Sequence, residues 1–361
     1  MQEVVVKTKK EKEKFLKFRR KIYNDHPIFV DNNSFMIKQL FSNKTCFSDN
    51  KEVIPIYIED DNFNIKCECI AVYTKELPEY IQLCFFESEK NESAAVKMLV
   101  DKVIEIGKKY NCTKLVVGLN GHVNYGLGLL NSHFHIKNSF GVSGNPSYYN
   151  DYFKELRCEE VFLNTYVWSD MDSNVNKYSG IINKANSAYS FEFLEKDKLD
   201  YYSKIYTDLN NKCFSGYRYY YNRTYKEDKE MLKEMLLFMK PDSLIFAFKD
   251  SEPVAFIFWY QDFNELVSPG EEFGIKTYIK NLFLNRKIKK GKIVEIGILE
   301  DYRKSGLAFG LMNQAYLRMK KYGIKQGESS WILEENVDSN SICKATCDDL
   351  YKRYVVYEKD I

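Results

Sequence analysis

Residues 295–310 read Glu295-Ile-Gly-Ile-Leu-Glu-Asp-Tyr-Arg-Lys-Ser-Gly-Leu-Ala-Phe-Gly310, and this stretch decides the fold. Its start belongs to an apolar run, Ile293 to Leu299, that reads as a strand. From Leu307 to Tyr322, Leu307, Leu311, Ala315 and Met319 recur on one helix face, and Gly323 stops the helix. Between strand and helix lies a tight loop, Arg303-Lys304-Ser305-Gly306-Leu307-Ala308. Free amide N–H groups at a helix start, with the helix dipole behind them, attract anions. Arg303 and Lys304 add formal charge, and Gly306 and Ala308 are small enough to let a ligand approach the backbone. Such a cradle suits a pyrophosphate. Glu295 is a carboxylate inside an apolar strand, where desolvation raises a pKa toward that of a general base. Glu334 and Glu335, after the next strand, are alternatives. All four histidines, His26, His122, His133 and His135, lie in the first 135 residues. The second half therefore holds no Ser-His-Asp or Cys-His arrangement, and its base is a carboxylate, a tyrosine or water.

Working outward, the second half reads as strand Ala188–Leu194, helices Leu199–Asn211 and Lys226–Met239, and a hairpin of Ser243–Lys249 with Val254–Tyr260. After the strand, loop and helix already described come strand Ser329–Leu333, short helix Ser339–Thr346 and strand Leu350–Tyr357. The first half repeats that order. It has strand Glu3–Lys7, helix Lys9–Ile22, strands Val53–Glu59, Lys66–Tyr73 and Tyr80–Phe86, helix Asn91–Tyr110 and strand Leu115–Gly118. A glycine-rich loop over 120–144 leads to strand Val161–Trp168. The polar stretch after Trp168 reads as a linker. The expected architecture is α/β (α+β): two similar domains, 1–170 and 178–361, joined by linker 171–177, each a central, mostly antiparallel mixed sheet flanked by helices.

The second half resembles the GNAT superfamily of acyl-CoA N-acyltransferases, whose acyl-CoA loop has the pattern Gln/Arg-x-x-Gly-x-Gly/Ala. Residues Arg303 to Ala308 match it in full. The resemblance implies acetyl-CoA, or another acyl-CoA, held by Arg303, Lys304, Ser305, Gly306, Leu307 and Ala308, with a backbone N–H near Ile298 on the thioester carbonyl. It continues at Asn336 and Ser339. Ile342 and Cys343 fall where the superfamily places an aromatic residue and a tyrosine that protonates the leaving thiolate. Cys343 is thus the candidate acid. Phe214 to Tyr221 follows the first helix, the segment that lines the acceptor pocket in this superfamily. Tyr217 and Tyr219 could stack on the acceptor, and Arg218 could hold an acceptor carboxylate. The first half resembles a degenerate copy, with an Asn145-Pro-Ser-Tyr-Tyr149 element known from two-domain bacterial members. Where its loop should be stand Glu87, Glu89 and Glu92, which would repel a pyrophosphate. The resemblance implies one acyl-CoA site per chain and transfer of an acyl group, acetyl first of all, to a primary amine of a small molecule or amino acid. The alternatives are a CoA- or metabolite-binding protein without catalysis, and an aminoacyl-tRNA-dependent transferase of the peptidoglycan-bridge type.

Composition narrows the partners. The 361 residues carry 53 basic and 51 acidic side chains, a balance that argues against a nucleic-acid-binding surface. No apolar run reaches the ~18 residues of a membrane span, and the charged first 14 residues lack a signal-peptide core. The nine cysteines form no C-x-x-C, so reduced thiols in the cytoplasm are expected. His133 and His135 share a strand face but have no third ligand, so no metal is expected. The expected protein is a monomer or homodimer acting on a small amine, without nucleic-acid or membrane partners.

Overall fold

The computed structural model describes residues 1–24 and 26–361. The first half comprises β1 (Gln2–Val5), α1 (Lys9–Asn24), α2 (Ser34–Phe41), β2 (Lys51–Glu59), β3 (Ile65–Thr74), β4 (Tyr80–Ser88), α3 (Ser93–Lys109), β5 (Lys114–Val117), β6 (Leu129–Leu130), α4 (Tyr148–Glu155) and β7 (Glu159–Trp168). The second comprises α5 (Met171–Lys177), α6 (Ser179–Ala188), β8 (Ser190–Phe193), α7 (Leu199–Phe214), α8 (Tyr225–Met235), β9 (Leu244–Lys249), β10 (Glu252–Gln261), α9 (Ile275–Leu284), β11 (Lys290–Ile298), α10 (Leu307–Lys321), β12 (Gln326–Ser329), β13 (Ile332–Leu333), α11 (Val337–Thr346) and β14 (Asp349–Asp360).

All these strands join one sheet in the order β1-β2-β3-β4-β5-β14-β7-β12-β11-β10-β9-β8, with β6 and β13 paired at its centre. Pairing is antiparallel except for β4 with β5 and β11 with β12. The halves exchange their closing strands. β14, the last of the chain, lies between β5 and β7, and β7 lies against β12. The burial pattern explains the tolerance for this exchange. Leu163, Tyr354, Val355, Val356 and Tyr357 are all buried, so both strands can serve only as interior strands.

Two features go beyond the sequence expectation. Residues 171–177, read as a linker, form a helix. Asp170 accepts the Ser173 amide at 2.9 Å and caps it, so the Asp and Asn run supplies helix-start chemistry. Helices α2, α4, α6 and α9 were not expected, because each is at most 10 residues long and so spans too few turns for its periodicity to be read.

Each half places a parallel pair beside an irregularity. β11 runs opposite β10 with an extra residue at Val294, between the pairs Trp259–Ile293 and Phe258–Glu295. β4 carries a similar bulge opposite β3, where Phe85 has φ +53°. Bulges bend a strand and re-aim its side chains. In the second half the β11–β12 pairing ends at Ile293 with Ser329, and beyond it the two strands part. Leu299 donates to the Val254 carbonyl. By antiparallel alternation, Ile296 and Ile298 therefore turn their backbone groups away from β10, into the gap.

Candidate active site

The loop expected to hold pyrophosphate sits at the mouth of that gap. Lys304 and Gly306 have φ of +61° and +85°, which turns the chain sharply into α10. The amides of Lys304, Ser305, Gly306 and Ala308 have no acceptor among the described residues. Ser305 closes the loop from within, its Oγ donating to the Tyr302 carbonyl at 2.7 Å and facing the Leu307 amide at 3.4 Å. Two details differ from expectation. The Arg303 guanidinium is turned back along the fold, donating to the carbonyls of Ile298 and Cys213 at 3.3 Å each. Gly306 faces protein, since a Cβ there would lie 2.6 Å from Ile181 of α6. Its small size therefore serves α6 packing as well as the turn. Tyr189, just after α6, adds a 3.2 Å hydroxyl contact to Ser305.

Four residues back from Leu299, on the bulged strand, Glu295 accepts hydrogen bonds from Tyr206 Oη and Asn210 Nδ2, both at 2.8 Å. Both donors come from α7, one turn apart. Burial pushes the Glu295 carboxyl up to about 7 despite these donors and the nearby Arg223. It is thus half ionised near neutrality, which suits a general base. Arg223 is itself buried and paired with Asp228 at 3.1 Å. Sequence reasoning found Glu295 but neither of its donors. Glu334 and Glu335 point elsewhere: Glu334 pairs with Arg353 at 3.0 Å and Glu335 lies 3.7 Å from Arg218.

Asn336 caps α11 by accepting the Ser339 amide at 3.1 Å, so its side chain is spent on the helix start. Cys343 stands beside Cys347, and that contact together with burial pushes its thiol well above the ordinary range. A thiol shifted in that direction gives up its proton less readily, which does not favour the acid role expected of Cys343. A phenol near Cys343 is Tyr166, brought by the exchanged strand β7, and its hydroxyl donates to Asn340 Oδ1 at 2.9 Å.

The acceptor-side expectation is also revised. Arg218 pairs with the buried Glu358 of β14 at 2.9 Å, and Tyr219 donates to the same carboxylate at 2.6 Å. Both are thereby occupied in holding the 214–221 segment against the central strands. Tyr217 packs near Phe214. The residue of this segment that reaches the Glu295 network is Tyr220, whose hydroxyl meets Asn210 Oδ1 at 2.8 Å. The first half reaches it too. Asn124 Nδ2 lies 3.5 Å from Tyr206 Oη, and His122, buried and held neutral by desolvation, contacts the Tyr221 carbonyl at 3.0 Å.

On the other face, α5 and α6 roof a small, largely apolar hollow of about 60 Å³, floored by Ile293 and Trp168 and walled by Phe309, Met312 and Met319. The roof is pinned by Asn174 to the Thr346 carbonyl at 2.6 Å and by Tyr178 to that of Ala345 at 2.9 Å.

The corresponding place in the first half is closed. At the start of α3, Lys66 ties Glu89 and Glu92 together at 3.2 Å each. Tyr152 Oη accepts the Glu92 amide at 3.1 Å and donates to the Glu89 carbonyl at 2.6 Å. Tyr149 accepts the Ser88 amide at 2.9 Å. The tyrosines of α4 thus take up backbone groups that a phosphate would need. Among the described residues no group of three His, Cys, Asp or Glu side chains is placed to hold a metal ion. No helix there is long and apolar enough to cross a membrane.

No family model and no curated protein matches this chain. Solved structures do. The glucosamine N-acetyltransferase region of a fungal multi-domain beta-N-acetylglucosaminidase superposes with a TM-score of 0.61 at 12% identity, over 99% of this chain and 38% of that one. A tandem GNAT protein from the clavulanic acid biosynthesis pathway gives 0.59 at 9%, over 99% and 98%. A probable N-acyltransferase from Enterococcus faecalis gives 0.52 at 8%, over 100% and 73%. At these identities the likeness concerns the fold, and the fold is the tandem GNAT one.

Proposed function

We propose that this chain, folded as a tandem GNAT protein, transfers an acetyl group from acetyl-CoA to a primary amine of a small molecule, at one site in its second half. The observation that carries this reading is the pairing, along one strand and its loop, of a set of unsatisfied amides with a carboxyl poised near neutrality. The amides of Lys304, Ser305, Gly306 and Ala308 would take the pyrophosphate. The Ile298 N–H, which faces the gap, would meet the thioester carbonyl. Glu295 would take a proton from the attacking amine as the C–N bond forms and the C–S bond breaks, the electron pair leaving on sulfur. A thiolate of ordinary pKa ~8.5 leaves near neutral pH without a strong acid, so Cys343 is not required. Asn124, Tyr206 and Tyr220 would border the amine, which makes the acceptor pocket a joint product of both halves.

The test is thermal unfolding with and without acetyl-CoA, in the wild type and in Arg303→Glu. Ligand at 100 times its dissociation constant adds roughly 2.7 kcal/mol, an easily read shift that the variant should diminish. A second reading, binding without catalysis, is favoured by the contacts of Ile181 and Tyr189 with the loop. It would be chosen by a thermal shift with acetyl-CoA unaccompanied by free CoA release across an amine panel. The absence of any shift at millimolar ligand would remove both readings.

A further inference from the structure

Helix α9 is amphipathic in the wrong sense for a helix packed on a protein. Ile275, Ile279, Leu282 and Phe283 are 77%, 52%, 57% and 80% exposed, while Thr277 and Asn281 are buried. At 3.6 residues per turn, those four apolar side chains fall within an arc of about 100° on the outer face. The inner face is held by polar contacts. Asn281 Nδ2 donates to the Phe238 carbonyl at 2.9 Å, and Lys280 Nζ to that of Leu266 at 3.0 Å. Thr277 Oγ1 accepts the Gly274 amide at 3.3 Å. The orientation is therefore fixed by specific bonds, and the apolar stripe is left uncovered by the described residues.

The chain through and after the stripe is basic, and the exposed Glu265 beside it is engaged by the Lys289 and Lys290 amides at 2.6 and 3.0 Å. From Phe273 to Val294 the sequence has seven lysines or arginines and no carboxylate. Of these, Lys276, Arg286, Lys287 and Lys289 are exposed. The nearest preceding acids are answered within the fold, Glu271 by Lys280 at 3.6 Å and Glu272 by Lys38 at 2.6 Å. Large apolar side chains raised on one helix and ringed by bases make the pattern of a helix that lies in a membrane interface, apolar face down, with the bases on anionic headgroups. An exposed apolar helix face bordered by lysines and an arginine is complementary in both respects to an anionic lipid surface. We propose that α9 docks this protein on an anionic bilayer surface, contrary to the sequence expectation of no membrane contact and independently of the acyl-CoA reading.

The experiment is co-sedimentation of the full chain with phosphatidylcholine vesicles, with and without phosphatidylglycerol, at low and high salt. Wild type should pellet with the anionic vesicles at low salt and stay largely in solution with the neutral ones. Ile279→Ser combined with Phe283→Ser should weaken binding by at least about tenfold, and Lys276→Glu with Lys287→Glu should do the same. All four positions are exposed, so circular dichroism melts of the variants should match wild type. Failure of wild type to bind anionic vesicles, or binding that both variants retain, would overturn the proposal. So would a dimer in sedimentation velocity that the Ser variant splits, since that result assigns the ridge to a second copy of the chain.

Discussion

Glu295 joins the fold and the chemistry at the scale of one side chain. Its carboxyl sits at about 7 instead of 4.5 because burial outweighs the two hydrogen bonds that favour the charge. If it is the base, acetylation at saturating amine and acetyl-CoA should rise with pH through a single limb near 7. Glu295→Gln should lower kcat by ~10²–10⁴ and flatten that limb, read by free-thiol release from pH 5.5 to 8.5. The linkage to stability has a fixed sign. A raised carboxyl favours the protonated folded state, so it costs stability as pH climbs from 4.5 to about 7 and costs a constant amount above. Glu295→Gln should therefore melt higher than wild type at pH 8 and nearly equally at pH 4, which differential scanning calorimetry would show. Glu68 makes the same argument without a catalytic role. Both its oxygens are buried with no hydrogen-bond partner among the described residues, and burial holds its pKa well up. Glu68→Gln should leave melting unchanged at low pH and raise it at neutral pH. Glu295 was legible in sequence because one charge interrupts an apolar strand. Tyr206 and Asn210 stand 89 and 85 residues away in sequence and were not. Arg218 and Tyr219 misled for the same reason, since their partner Glu358 lies some 140 residues on.

At the scale of elements, what the sequence showed best were long pieces whose periodicity is unambiguous, such as α1, α3, α10 and the strands flanking them. What it hid were elements defined by what they pack on. α5 looked like a linker because its residues are polar, yet it and α6 roof the second half's α10. α9 is hard to read because its apolar face is turned outward. The contact of α6 with the loop leads to a prediction that belongs to this scale. Ile181 lies against Gly306 and Tyr189 against Ser305, so α6 braces the loop in its present shape. Tyr189→Phe removes one exposed hydroxyl contact and should cost well under ~1 kcal/mol. Gly306→Ala should do far more, because it combines a left-handed φ with a Cβ 2.6 Å from Ile181. The strain costs about 1 kcal/mol or more, and α6 must shift. A fall in melting temperature with Gly306→Ala that exceeds the fall with Tyr189→Phe several-fold is expected. Equal falls would show that α6 does not press on the loop.

At the scale of the whole molecule, the exchange of β7 and β14 makes the sequence halves poor folding units. The repeated order of strands and helices was visible in the sequence. Which strand lies beside which was not, because β7 and β14 are equally apolar and either could close either half. The sheet resolves this with β14 between β5 and β7, its Tyr354, Val355, Val356 and Tyr357 all 1% exposed or less. Burying one large apolar side chain is worth roughly 1.5–3 kcal/mol. Four together are comparable with the whole stability of a domain, about 5–15 kcal/mol. A chain ending at Asp348 should thus lose the first half's sheet as well as its own last strand. Residues 1–170 alone leave β5 without its neighbour, and residues 171–361 alone leave β12 without β7. Each piece expressed singly should lack a cooperative thermal transition. The two co-expressed should reassemble and melt as one, and the intact chain should show a single transition by calorimetry with equal calorimetric and van't Hoff enthalpies. Two separated transitions, or a folded 1–170 fragment, would mean that the exchanged strands contribute little and that each half closes its own sheet.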